Sequence, residues 1–284
     1  MNRLRAVVAL ALVFAVQFCC AQLNTRRVME IGRNALYFED YVLSIQYFNQ
    51  VIEAKPFLHE PYFFRALAKY YLEDYSGAEQ DLDTAIVRNP YISRCYQLRG
   101  LCRANRDSLL LAEQDFRKAL RFNPHDGEVW QNLGAVAMQQ EDWGKAATVL
   151  DSLLLFYPRD SRAYLMRTQV ALNLEDTVTA QKMVEQAVTY DRYSADVYGA
   201  RAVVKSVTGE YESAEQDLDR AIDLGRFKPL FVGHHPSQTY RREESETVPR
   251  SKVLRTVISE IQFREISLII GICAGKPPTE AAML

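Results

Sequence analysis

The sequence predicts an all-α solenoid built from about six helix-turn-helix units, each 34 residues long. Three observations carry this. Three segments nearly repeat: Ala78-Glu79-Gln80-Asp81-Leu82, Ala112-Glu113-Gln114-Asp115-Phe116 and Ala214-Glu215-Gln216-Asp217-Leu218. The first two are 34 residues apart, and the third follows after three further periods. Pro56, Pro90, Pro124 and Pro158 keep the same step. An aromatic residue with small residues at fixed offsets recurs in that register.

Each element of a unit has a physical reason. The first helix opens near Tyr62, Tyr96, Trp130, Tyr164 or Tyr198, with Val28 at this place in the first unit. Four residues on stands Gly32, Ala66, Gly100, Gly134, Thr168 or Ala202. In the second helix stands Ser44, Ala78, Ala112, Ala146, Ala180 or Ala214. Small residues at facing places let two helices approach toward the short end of the roughly 8–10 Å packing range. A large apolar residue follows one helical turn later: Phe48, Leu82, Phe116, Leu150, Val184 and Leu218. The proline ends the second helix by denying αR geometry to the residue before it. Units five and six carry Arg192 and Arg226 there instead.

These features together resemble the tetratricopeptide repeat family over about residues 24–226, in units near 25–58, 59–92, 93–126, 127–160, 161–194 and 195–226. The resemblance implies antiparallel helix pairs coiled into a superhelix whose concave groove binds a protein or peptide. It places on that groove Arg33, Tyr37, Phe63, Leu67, Tyr70, Tyr71, Gln97, Leu101, Asn105, Gln131, Met138, Gln139, Gln169 and Asn173. Tyr and Phe give contact area at low entropic cost, and Gln and Asn can bond an extended backbone. The family's carboxylate clamp needs Lys and Asn at set places. Those places hold Met29 and Arg33, Phe64, and Arg94 and Leu98, so an acidic chaperone-type terminus is not the expected partner.

An arginine recurs three residues after the aromatic, as Arg65, Arg99, Arg167 and Arg201. Asp81, Asp115 and Asp217 stand 16 residues beyond three of them, which predicts an Arg–carboxylate staple between the helices of a unit. Units one and four lack both, with Ile31 and Tyr47, and Leu133 and Val149. Unit five has Arg167 but Met183.

Composition sets outer bounds. With 34 Lys and Arg against 36 Asp and Glu, the chain has no general basic field for nucleic acid. His59, His125, His234 and His235 make no helical metal pair, and no phosphate loop or nucleophile elbow occurs. No catalytic residue, cofactor or metal is expected. Cys95 and Cys102 lie two helical turns apart, about 10.5 Å of rise, beyond disulfide reach.

Residues 1–21 read as a signal peptide. Arg3 and Arg5 precede the apolar run 6–18, and Ala21 precedes a cleavage that leaves Gln22 first. Export to the periplasm or outside follows, with a lipid anchor on Cys19 or Cys20 as the alternative. From Phe227 the register fails. The tail 227–284 holds 5 of 10 prolines and 1 of 16 tyrosines, and Pro236 would fall inside a seventh first helix. The tail reads as an irregular, frameshifted or otherwise non-native extension, with a specialised C-terminal extension as the alternative. The expectation for the whole is a non-enzymatic extracytoplasmic scaffold or adaptor. The alternatives are the recognition part of an envelope enzyme and a component of an outer-membrane assembly complex.

Overall fold

The computed structural model describes residues 24–224; the expected signal peptide and the tail from 227 lie outside the described residues. Among the described residues there are twelve helices and no strand. In chain order they are α1 (Thr25–Tyr37), α2 (Tyr41–Ala54), α3 (Glu60–Tyr71), α4 (Tyr75–Arg88), α5 (Ser93–Asn105) and α6 (Leu109–Phe122). There follow α7 (Gly127–Gln139), α8 (Trp143–Phe156), α9 (Ser161–Asn173), α10 (Thr177–Tyr190), α11 (Ala195–Val207) and α12 (Tyr211–Asp223). Within the units they pair as α1 with α2, α3 with α4, α7 with α8, α9 with α10 and α11 with α12. The fold is the expected all-α helical repeat. It divides into two compact units, one ending at Arg106 and one beginning at Asp107, so repeat three gives one helix to each.

The helix boundaries follow from caps. Asp40, Asp74, Asp142 and Asp176 each accept a bond from the backbone N–H three residues on and so open α2, α4, α8 and α10. Asn24, Asp126 and Asp160 do the same for α1, α7 and α9. Each fills an N–H that has no partner inside its helix. The first helices end with one residue in the left-handed region: Glu39, Glu73, Asp107, Glu141, Glu175 and Gly209. These six keep the 34-residue register. Only the last is glycine, the residue that takes this conformation without penalty. The amide after it returns to the helix, as when Asp142 N–H donates to the Ala137 carbonyl at 3.0 Å.

The shared register of aromatic and proline has a direct cause. Tyr62 Oη donates to the Pro56 carbonyl at 3.2 Å, Tyr96 Oη to Pro90 at 3.0 Å, Trp130 Nε1 to Pro124 at 2.9 Å and Tyr164 Oη to Pro158 at 3.2 Å. Each bond ties a first helix to the turn that delivers it.

Packing confirms the phase of the small residues. Ser44, Ala78, Ala112, Ala146, Ala180 and Ala214 are fully buried. A Cβ added at Gly134 would lie 2.9 Å from Leu150 Cδ2, and one at Gly32 would lie 2.7 Å from Phe48 Cε1. The large residue one turn after the small one therefore occupies the space that the missing side chain leaves open. Between repeats four and five, Leu150, Leu153, Met166 and Val170 share one apolar core with Met138.

The arginines reach further than the sequence suggests. In repeat two, Arg65 grips Asp81 with both arms of its guanidinium, Nε to Oδ2 at 2.9 Å and Nη2 to Oδ1. Lys69 Nζ adds an ion pair to Asp81 at 2.8 Å, and Arg65 Nη1 donates to Asn49 Oδ1 at 2.6 Å in the repeat before. Repeat six copies this: Arg201 binds Asp217 at 2.8 and 2.6 Å, Lys205 joins Asp217 at 2.7 Å, and Arg201 Nη1 reaches back to Glu185 at 3.2 Å. Arg99 and Arg167 also reach back, to Asp83 at 2.6 Å and Asp151 at 2.8 Å. Arg167, which has Met183 in place of a forward aspartate, makes this backward bond. Arg65, Arg99 and Arg201 also lie over Tyr62, Tyr96 and Tyr198, 5.2–5.6 Å from the ring centroids.

Candidate partner-binding surface

In each unit the first helices of successive repeats touch one another. α3 meets α1 and α5 in the first unit, and α9 meets α7 and α11 in the second. Within each unit the first helices therefore form an inner layer, and the expected binding residues lie along these helices at helical spacing.

In the first unit this layer is aromatic. Arg33 lies over the Phe64 ring at 5.2 Å, Phe63 packs edge-on to Phe64 at 5.3 Å, and Phe64 stacks on Phe48 at 5.8 Å. Toward the ends of these helices, Tyr71 stacks on Tyr41 at 5.1 Å, and Tyr70 packs edge-on to Tyr71 and Tyr75. Tyr37 is 57% exposed and its neighbour Phe38 76%. Half-buried Phe63, Tyr71, Gln97, Leu101 and Asn105 complete the accessible set. Leu67 is buried. Tyr70 is only 5% exposed, and its hydroxyl has no hydrogen-bond partner. Burial, with Cys102 and Tyr75 beside it, holds this phenol well above its ordinary range. The Asn105 amide lies beside it but donates to the Leu101 carbonyl at 2.9 Å.

In the second unit the layer is amide-rich. Gln131 Nε2 donates to Asp160 Oδ2 at 2.6 Å. Asn173 Nδ2 donates to the Gln169 carbonyl at 2.8 Å. Gln139 is half-buried, and its Oε1 and the neighbouring Gln140 Nε2 are covered atoms without partners. Gln169 is buried, and Met138, 2% exposed, belongs to the core with Leu150 and Met166. The side chains a partner could touch here are Gln131, Gln139 and Asn173. Exposure is the quantity that sequence spacing missed: one helical face runs from open rim to closed floor within two turns.

Cys95 and Cys102 are buried free thiols. Burial pushes both up to about 12, so neither is a ready nucleophile. Among the described residues no group of three His, Cys, Asp or Glu could hold a metal ion, and no helix is long and apolar enough to cross a membrane.

Family models described as tetratricopeptide repeat match residues 65–127 and 109–170. The chain carries tetratricopeptide repeats. No curated protein matches it. Among solved structures it is similar to a tetratricopeptide repeat protein from Parabacteroides merdae ATCC 43184, at 18% identity and TM-score 0.56, covering 84% of this chain and 86% of that one. It is similar to YrrB, described as a TPR protein with an unusual peptide-binding site, at 22% identity and TM-score 0.52, covering 63% and 92%. It is similar also to MamA from Desulfovibrio magneticus RS-1, at 17% identity and TM-score 0.55, covering 59% and 95%. At these identities the likeness is one of fold. That fold is a protein-interaction scaffold.

Proposed function

We propose that this protein is a non-enzymatic, exported scaffold that binds a protein or peptide on the inner layer of first helices. The observation that carries the reading is the accessible part of that layer. Arg33, Tyr37, Phe63 and Tyr71 offer aromatic and cationic contact in the first unit, and Gln131, Gln139 and Asn173 offer neutral hydrogen-bonding groups in the second. Aromatic residues and arginine are enriched where binding energy concentrates, and side-chain amides can pair with a peptide backbone. The pattern of residues 1–21 supports the export part of the proposal.

The full mature chain immobilised as bait on an envelope extract tests this. A specific partner should be retained, and Tyr37→Ala with Phe63→Ala should release it, while Gln46→Ala, exposed on a second helix, should not. Undiminished capture by the Tyr37/Phe63 variant would remove the inner layer from the account. N-terminal sequencing of the exported protein should begin at Gln22.

A further inference from the structure

The last described helix, α12, keeps a packing stripe that the described residues leave more open than its counterparts in the other second helices. Five second helices bury their central large residue completely: Phe48, Leu82, Phe116, Leu150 and Val184. Leu218 holds that place in α12 and is only partly buried. Ile52, Ile86, Leu120, Leu154 and Val188 are partly buried one turn further on, whereas Ile222 is 47% exposed. Tyr75, Leu109, Trp143 and Thr177 are partly buried at the head of their helices, whereas Tyr211 is exposed. Tyr211, Leu218 and Ile222 are spaced by seven and four residues, one face of a helix. The helices α2, α4, α6, α8 and α10 that carry the corresponding stripes each meet the first helix of the next repeat. At the first described helix, α1 presents mostly polar side chains to solvent, Arg26, Arg27, Glu30 and Asn34 with Ile31 among them.

We infer that the α12 stripe is an interaction surface for the first helix of a seventh repeat, encoded by the same gene in another reading frame. The required occupant has a defined chemistry. It carries an aromatic residue near position 232, a small residue four places on, and a second small residue twelve places beyond that. Residues 228–284 do not meet it: Val232, Pro236 and Val248 stand at those places, and a proline inside the first helix would cost about 3 kcal/mol or more. The register holds for six repeats and then every marker stops together, with the prolines crowding into the tail and the tyrosines leaving it. Gradual decay of a terminal repeat would instead keep the period and turn the outer face polar. This inference is independent of the partner-binding proposal, because α12 lies outside the inner layer.

Translation of the gene in the other two frames beyond codon 228 is the first test. A continued 34-residue pattern in either frame is expected; stop codons in both frames close to that point would overturn the inference. The second test compares chemical denaturation of the present full chain with that of the frame-restored chain, each with and without Ile222→Asp. In the present chain the substitution should leave the midpoint unchanged, and in the restored chain it should lower it clearly. A lowered midpoint in the present chain would show that residues 225–284 already cover the stripe, and would overturn the inference as well.

Discussion

In repeat two the place three residues after the aromatic holds Arg65, and Lys69 and Asp81 complete a partly buried ion cluster between α3 and α4. In repeat four the same three places hold Leu133, Ala137 and Val149, all buried. The helix pairs are nevertheless built alike, with the same aromatic-to-proline bond, the same left-handed residue ending the first helix and the same buried alanine in the second. The junction between paired helices therefore demands partners that fit each other, and either charge or apolar volume supplies them. That agrees with the general energetics of buried ion pairs, which gain little over well-packed hydrophobic replacements but are costly to break on one side. The arginine also binds the preceding repeat through Asn49, Asp83, Asp151 or Glu185.

The largest expected effect strikes the apolar version. Leu150→Ala should cost about 2–5 kcal/mol in denaturant unfolding, because Leu150 is fully buried against the gap at Gly134. A loss below about 1 kcal/mol would mean that repeat four is not held by this core.

In the ionic version, Asp81→Val alone should cost about 1–3 kcal/mol, since it strands Arg65 and Lys69. The triple change Arg65→Leu, Lys69→Ala, Asp81→Val rebuilds repeat four's chemistry and should return stability to within about 1 kcal/mol of the original. If the triple variant is as unstable as the single one, the two chemistries are not interchangeable.

A smaller effect separates the versions by pH. Burial alone would raise the Asp217 carboxyl, but bonds from Arg201 and Lys205 more than offset it and hold the group below the ordinary carboxylate range. A carboxyl lowered in the folded state stabilises above its unfolded value, near 4, and loses that contribution as pH falls through the folded value. The stability gap between the wild type and Asp217→Asn should therefore narrow as pH drops below about 4. A gap that stays constant from neutral pH to about pH 3 would sink the assignment.

The smallest effect concerns the turns that both kinds of repeat share. Glu141 has φ of 57°, in the region where Gly209 sits in repeat six. Glu141→Gly should stabilise by about 0.5 kcal/mol, the net of relieved strain and added unfolded-state entropy. Destabilisation would show that the Glu141 side chain contributes more than its backbone costs.

The period, the helix pairing and the burial of the small residues were legible in the sequence, because each depends on spacing along a helix. Pro56 and Tyr62 could be seen to share a register, but not the bond between them, which depends on how the chain enters α3. The staple from Arg65 to Asp81 was legible too, since both residues belong to one repeat. The backward bond from Arg167 to Asp151 was not, because it crosses between repeats and needs the packing of α8 on α9. The left-handed turn at Glu39, Glu73, Glu141 and Glu175 was equally hidden, since glutamate gives no local signal for that conformation. For the candidate surface, spacing chose the face, but only packing separated accessible Phe63 and Gln131 from buried Tyr70 and Met138. A helical face is fixed by a period of 3.6 residues, which the sequence carries. Exposure on that face is fixed by what the neighbouring helices cover, which only the tertiary structure decides.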